Sequence, residues 1–282
     1  MKLVTFLAQD GQARPGLLQK NRVFDLSTNP AFDSLLSLIT AGAAALTGLA
    51  ERVEGDGMPV DTVRLLAPLS KPPRIFAVGL NYADHAAESK MKVQTVPTIF
   101  MKLSSSVCGP DDDVVLPKNS NEPDYEAELA VVIGTPGYRI AADKWHDHVF
   151  GYTIVNDVSA RDVQLATSQW TLGKSFPTFT PMGPCIVTAD EIEDPHALDI
   201  SLTIDGETLQ NSNTRNLIFR IPQIIEHISS LTPLEAGDII STGTPEGVGL
   251  GRDPKRWLKD GEEMVITIQN VGELRNRTRQ EV

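Results

Sequence analysis

The sequence predicts a mixed, β-rich α+β fold, and three observations carry that expectation. Short apolar runs with period-2 alternation recur from the first residues to residues 263–269, bounded by Gly, Pro, Asn or Asp. Helical spacing stands out in two stretches, residues 34–49 (Leu35, Leu36, Leu38, Ile39, Ala43) and 221–231. The 21 glycines and 19 prolines punctuate these runs at turn markers such as Arg14-Pro15-Gly16 and Gly109-Pro110.

Taken in order, 2–7 and 22–26 are strands and 34–49 a helix, which makes residues 1–66 a small N-terminal α+β domain of structural or dimer-supporting role. Residues 68–73, with three prolines, form a linker, so the larger domain spans 67–282. That domain opens with a buried strand at 74–80, followed by a short helix or lid at 81–89. Residues 99–116 read as a strand pair around the Gly109–Asp113 turn, and the three aspartates there as an ordinary turn. Residues 124–134 and 149–155 are apolar strands, 198–204 and 207–210 a further pair, 221–231 a helix, and 263–269 the last strand.

Composition bounds the function. At 282 residues, 41% hydrophobic and 22% charged, the chain has the make-up of a soluble globular protein. Its 25 basic against 37 acidic residues give a net charge of −12, which argues against nucleic acid or an anionic membrane as partner. A small anionic substrate remains compatible, because a bound cation inverts the local field. Cys108 and Cys185 are too few and too far apart for a disulfide framework or a zinc site. The first residues lack a signal-peptide core and no run approaches a membrane span, so the expected location is the cytosol.

The chemistry concentrates in the strand Asp124-Tyr125-Glu126-Ala127-Glu128-Leu129-Ala130-Val131-Val132-Ile133-Gly134. Residues i and i+2 of a strand share a face, so Glu126 and Glu128 are two anions about 7 Å apart. The run 149–155 delivers Asn156 and Asp157 at its end. Three carboxylates from two strands suit a hard divalent cation such as Mg2+, Mn2+ or Ca2+; a solvated Glu-x-Glu edge strand is the alternative. His85 and Glu88 stand at i and i+3, where a carboxylate would orient an imidazole as a base, or form an ordinary surface ion pair. Asp157, Arg161 and Gln164 fall on one face of a helix, fit to read a carboxylate or keto oxygen, unless Asp157 or Ser159 simply caps it. Lys174 follows Gly173, but the phosphate-loop frame is missing, so nucleotide binding is not expected. The loop 238–249 offers the hydroxyls of Thr242 and Thr244 and bare glycine amides to an anion, or is a tight turn. His146 and His148 read as structural.

In this order, Asn81-Tyr82-Ala83-Asp84-His85, Tyr125-Glu126-Ala127-Glu128-Leu129-Ala130, Asn156-Asp157-Val158-Ser159-Ala160-Arg161-Asp162, Lys174-Ser175-Phe176 and Thr242-Gly243-Thr244-Pro245-Glu246-Gly247-Val248-Gly249 resemble the fumarylacetoacetate hydrolase family. The resemblance covers about residues 70–272 and is nearest to the bacterial and mitochondrial domain-containing type 2 branch, including Leu250 and the Trp257-Leu258-Lys259-Asp260-Gly261 stretch. It implies a β-roll or β-sandwich catalytic domain, a homodimer, and Mg2+ or Mn2+ held by Glu126, Glu128 and Asp157. It further implies His85 and Glu88 as a lid dyad, with Arg161, Gln164, Lys174 and Thr244 on the substrate's carboxylate and keto oxygens. Fumarylacetoacetase has a fourth acidic ligand upstream; here only Asp84 stands near that place, and water is expected to complete the shell.

Such a site would take a small 2-oxo acid and stabilise its enolate with the cation and the Lys174 ammonium. Three reactions follow: hydrolysis of an acylpyruvate or 2,4-diketo acid, oxaloacetate decarboxylation, and oxaloacetate keto–enol tautomerisation. Hydrolysis is favoured because His85 and Glu88 are both present. The rival of another class is a catalytically silent protein that binds a 2-oxo acid, which the complete acid set and Lys174 argue against.

Overall fold

The computed structural model describes residues 1–29, 31–49, 55–83 and 94–282. Its centre is the strand Ala127–Ile133, buried along its whole length. Val149–Asn156 pairs antiparallel on one side of it and Ile239–Ser241 on the other, inside a mixed sheet with 12 strands among the described residues. Because side chains alternate across a strand, this one feeds two cores. Ala127, Leu129, Val131 and Ile133 pack into one apolar cluster with Ile200, Leu202, Ile266 and Leu274. Ala130 and Val132 pack into another, with Leu3, Leu38, Ile39, Ile75 and Ile186. Glu126 and Glu128 are in phase with Ala130 and Val132, at one end of the second face.

The first core is closed by a five-stranded sheet in the order Glu207–Asn213, Asp199–Ile204, Glu263–Ile268, Gly272–Gln280, Asp113–Leu116. Its inward residues interdigitate with the large sheet as in a β-sandwich. The second core is closed by the N-terminal segment. Lys2–Leu7 pairs antiparallel with Thr180–Thr188, in the register Lys2↔Val187 and Leu3↔Ile186, so the N-terminal strands continue the large sheet. The mixed, β-rich α+β architecture is the one the sequence predicts. No helix among the described residues is long and apolar enough to cross a membrane.

Several local expectations change. The stretch 34–49 is two short helices, Leu35–Thr40 and Ala43–Leu46, because Gly42 between them takes φ +80°, outside the helical region. Residues 99–116 are not a hairpin. Thr98–Lys102 joins the large sheet beside Ile75–Gly79, whereas Asp113–Leu116 runs parallel to Gly272–Gln280 in the other sheet. The turn between them behaves as expected of an ordinary turn, with Asp112 accepting from the Gly109 amide at 2.7 Å. The strand at 263–268 is not the last; Gly272–Gln280 folds back on it after a turn at Asn270. Helix Ile221–Leu231 is observed with the predicted bounds and buries Ile221, Ile224, Ile225 and Ile228.

Candidate active site

Register brings the acidic residues together. Ala127 stands opposite Asn156, and the Asp157 amide donates to the Glu126 carbonyl at 2.9 Å. The Asn156 side chain accepts from the Glu126 amide at 3.0 Å, which closes this end of the ladder. Glu126, Glu128 and Asp157 are thereby all buried, and each offers a carboxylate oxygen within 4.8 Å of the others.

Each carboxylate has one oxygen held from behind. Glu128 Oε2 accepts from the Ser241 hydroxyl at 2.6 Å and from the Gly243 amide at 2.8 Å. Glu126 Oε1 accepts from Arg161 Nη2 at 2.6 Å, and Asp157 Oδ1 from Lys102 Nζ at 2.5 Å. The Lys174 ammonium bridges the remaining oxygens, 2.6 Å from Glu126 Oε2 and 2.9 Å from Asp157 Oδ2. The Phe100 ring lies 5.2 Å from the same nitrogen. Arg161 is anchored in turn by Asp124 Oδ2 at 2.8 Å and Gln164 Oε1 at 2.9 Å. Asp124 accepts the amides of Gly249 at 2.7 Å and Leu250 at 3.0 Å. The glycine-rich loop at 238–249 therefore does bind anions through bare amides, but the anions are the protein's own Glu128 and Asp124. Gly243 reaches Glu128 with φ +104°, a backbone conformation that favours glycine.

The electrostatics follow from this burial. Four buried carboxylates (Asp124, Glu126, Glu128, Asp157) face three buried cations (Lys102, Arg161, Lys174), leaving one negative charge in excess when all are ionised. Burial first, and then the charges of Asp157 and Glu126, hold the Glu128 carboxyl well above the usual carboxylate range. Burial works against the Lys174 ammonium, but Asp157 and Glu126 outweigh it and push its pKa up, so it stays charged at neutral pH. A purely carboxylate donor set with surplus negative charge fits a hard divalent cation of the Mg2+ or Mn2+ kind rather than zinc.

Glu126, Glu128, Asp157, Arg161, Gln164, Lys174 and Thr244 line one cavity, whose apolar wall is Val78, Phe100, Leu165, Trp170 and Leu250. His85 and Glu88, and Asp84 with them, lie outside the described residues. Asp157 does not share a helix with Arg161 and Gln164. Residues 159–160 pair with Pro123–Asp124, so the helix is only Arg161–Gln164. Arg161 and Gln164 still share its buried face, and Gly173 packs so close to Gln164 that a Cβ there would collide with its backbone.

Three residues were missed. Lys102 ends the apolar strand Thr98–Lys102, where a lysine has no route to solvent; that position was its only signal. Asp124 is fully buried beside the predicted ligands. Gln210 accepts from the Ala127 amide at 3.0 Å, between the two glutamates, and donates to Thr244 Oγ1 at 2.9 Å. Its strand neighbours gave no hint of that link.

Residues 74–279 match the fumarylacetoacetate (FAA) hydrolase C-terminal family. The chain is 43% identical to oxaloacetate tautomerase Fahd2a, mitochondrial, of Rattus norvegicus, over 90% of this chain and 83% of the rat protein. Among solved structures, the fumarylacetoacetate hydrolase of psychrophilic Exiguobacterium antarcticum is 36% identical with a TM-score of 0.85, each chain covered in full. A maleylpyruvate hydrolase of Sphingobium sp. SYK-6, in complex with manganese(II) and pyruvate, is 31% identical with a TM-score of 0.84, again with full coverage of both. With its acidic triad seated in a fold of this kind, the chain belongs to the fumarylacetoacetate hydrolase family.

Proposed function

We propose that this protein is a divalent-metal-dependent enzyme that forms and reprotonates the enolate of a small 2-oxo acid, with keto–enol interconversion of an oxaloacetate-type acid as its reaction. The observation that carries the reading is the Lys174 ammonium, buried and kept charged between Glu126 and Asp157 at the wall of the cavity. Mg2+ or Mn2+ held by Glu126, Glu128 and Asp157 would supply Lewis-acid polarisation of a keto oxygen.

The chain's own residues supply the rest. Lys174 places a fixed positive charge where negative charge develops on the keto oxygen as the C3 proton leaves. The Thr244 hydroxyl accepts from Gln210, which leaves its own proton to donate to a substrate oxygen. Arg161 and Gln164 border the same cavity as further donors to a carboxylate, with Arg161 also fixing Glu126. Phe100, Trp170 and Leu250 give the cavity an apolar wall, which lowers the local dielectric and would strengthen each of these interactions. The reaction is an isomerisation: one proton leaves C3 and one arrives at the C2 oxygen, so nothing else is consumed. His85 is the candidate proton carrier, with Glu88 as the carboxylate that would support its basicity. The tautomerase name of the rat relative supports this choice.

Hydrolysis of an acylpyruvate is the second reading, favoured by the maleylpyruvate hydrolase of similar fold with pyruvate bound. It would use the same enolate as its leaving group, with His85 activating water. Supplying oxaloacetate and acetylpyruvate in parallel with Mn2+ tests both. The expected result is accelerated enol–keto equilibration of oxaloacetate with no new product. Acetate and pyruvate from acetylpyruvate would establish the hydrolase, and pyruvate with carbon dioxide from oxaloacetate a decarboxylase.

A further inference from the structure

Lys102 is a fully charged-type side chain sealed in the protein at 2% exposure. Among the described residues it is not part of the cavity lining, so it is not placed to touch a substrate. Burying an ammonium is costly, and an apolar side chain of similar volume would serve packing as well or better. What the lysine has in return is three contacts. Its Nζ lies 2.5 Å from Asp157 Oδ1 and 3.3 Å from the Val158 carbonyl, and it donates to the carbonyl of Lys174. The next amide, Leu103, donates to the Ser175 hydroxyl at 3.0 Å.

These contacts join two separate stretches of chain, the exit of Val149–Asn156 and the loop that bears Lys174. One Asp157 oxygen is taken by Lys102 and the other by Lys174, so the carboxylate cannot rotate without breaking a charged hydrogen bond. The Lys174 backbone is fixed by the same nitrogen.

We infer that Lys102 is a positioning residue of the active site, which sets the orientation of the ligand Asp157 and the place of the Lys174 ammonium through one buried amine nitrogen. The inference rests on the reading of Glu126, Glu128 and Asp157 as a divalent-cation site. A lysine that served only packing would be replaceable by methionine without effect on either group. A lysine that acted only through its charge would repel the incoming cation, and its removal would tighten metal binding. A positioning lysine gives the opposite sign, because loss of an outer partner of a metal ligand typically costs about 10–100-fold in affinity.

The test is Mn2+ affinity by calorimetry and electron paramagnetic resonance on wild type, K102M and K102R, with kcat and KM measured at saturating Mn2+. The expected result is Mn2+ binding weakened at least about tenfold in K102M and largely recovered in K102R. At saturating Mn2+, K102M should lose about tenfold in kcat with little change in KM, because displaced Lys174 matters most where charge develops. Unchanged or tighter Mn2+ binding in K102M overturns the inference. If wild type binds no Mn2+, the metal reading falls first and the inference with it. Should K102M fail to fold, K102R is compared with K102Q: at least about tenfold tighter Mn2+ binding by K102R supports positioning by a cation, and equal affinities overturn it.

Discussion

Glu128 concentrates the physical tension of the site. It is buried against two other carboxylates, and its compensation comes from the neutral donors Ser241 and Gly243 on one oxygen. Replacing it by glutamine keeps an acceptor for both donors and removes one of the crowded charges. Glu128→Gln is therefore expected to lower Mn2+ affinity by at least about 100-fold and to abolish turnover. The metal-free variant should melt no lower than metal-free wild type, since like-charge repulsion is relieved. Titration with Mn2+ and melting in chelator check both halves; retained Mn2+ affinity would remove Glu128 from the ligand set. The candidate ligands were legible in the sequence because two glutamates share one face of an apolar strand, a pattern equally open to a solvated edge strand until the motifs in order were added. Lys102 and Gln210 were not, because a lone Lys or Gln carries no spacing signal and its partners lie far away along the chain.

At the scale of elements, helix Ile221–Leu231 depends on a histidine outside it. His196 Nε2 accepts the Ile221 amide at 3.2 Å, while its Nδ1 lies 3.4 Å from Asp194 Oδ1 and the Trp145 ring packs edge-on 5.9 Å away. Burial, with Arg220 adding to it against Asp194, holds the imidazole pKa below its ordinary 6.5. The neutral ring is required, because protonation would remove the acceptor and set a cation at a helix N-terminus. The unfolded chain then takes up the proton first as pH falls. This stability is fully present above about pH 6.5 and is lost as pH drops through the window between 6.5 and the depressed folded value. The melting temperature of wild type should fall as pH drops below about 6.5, and that slope should shrink in His196→Gln, which costs about 1 kcal/mol near neutral pH for a poorer hydrogen bond. An identical slope in the variant would acquit His196. Helix bounds were readable here because Ile224, Ile225 and Ile228 make one apolar stripe. The pairing of 99–116 was not, because local alternation marks a strand but not its partner.

The whole molecule shares its cores across the chain. Leu3, Leu38 and Ile39 pack in one cluster with Ile75, Val132, Val155 and Ile186, and Lys2–Leu7 continues the sheet that carries the active site. Ala67 and Leu69, in the proline-rich stretch between the two parts, are buried in the same cluster. Heating is expected to give a single cooperative transition, since neither part can keep its apolar face covered alone. A chain starting at residue 67 would expose the edge of Thr180–Thr188 and the second core, and is expected to aggregate. Calorimetry of the full chain and sedimentation of the truncated one test this; a soluble, folded fragment that binds Mn2+ would show that the larger part stands by itself.

By itself the sequence determined the β-rich α+β class, the candidate ligands Glu126, Glu128 and Asp157, and the family. These are properties of short-range pattern: period-2 alternation, carboxylates two apart on one face, and motifs in a fixed order. Only the tertiary structure decided that residues 98–102 and 113–116 belong to different sheets. It also decided that the glycine-rich loop spends its amides on Glu128 and Asp124, and that Lys102 stands behind Asp157. Those facts depend on strand register and on which charges share a buried volume, and neither is encoded in the spacing of neighbouring residues.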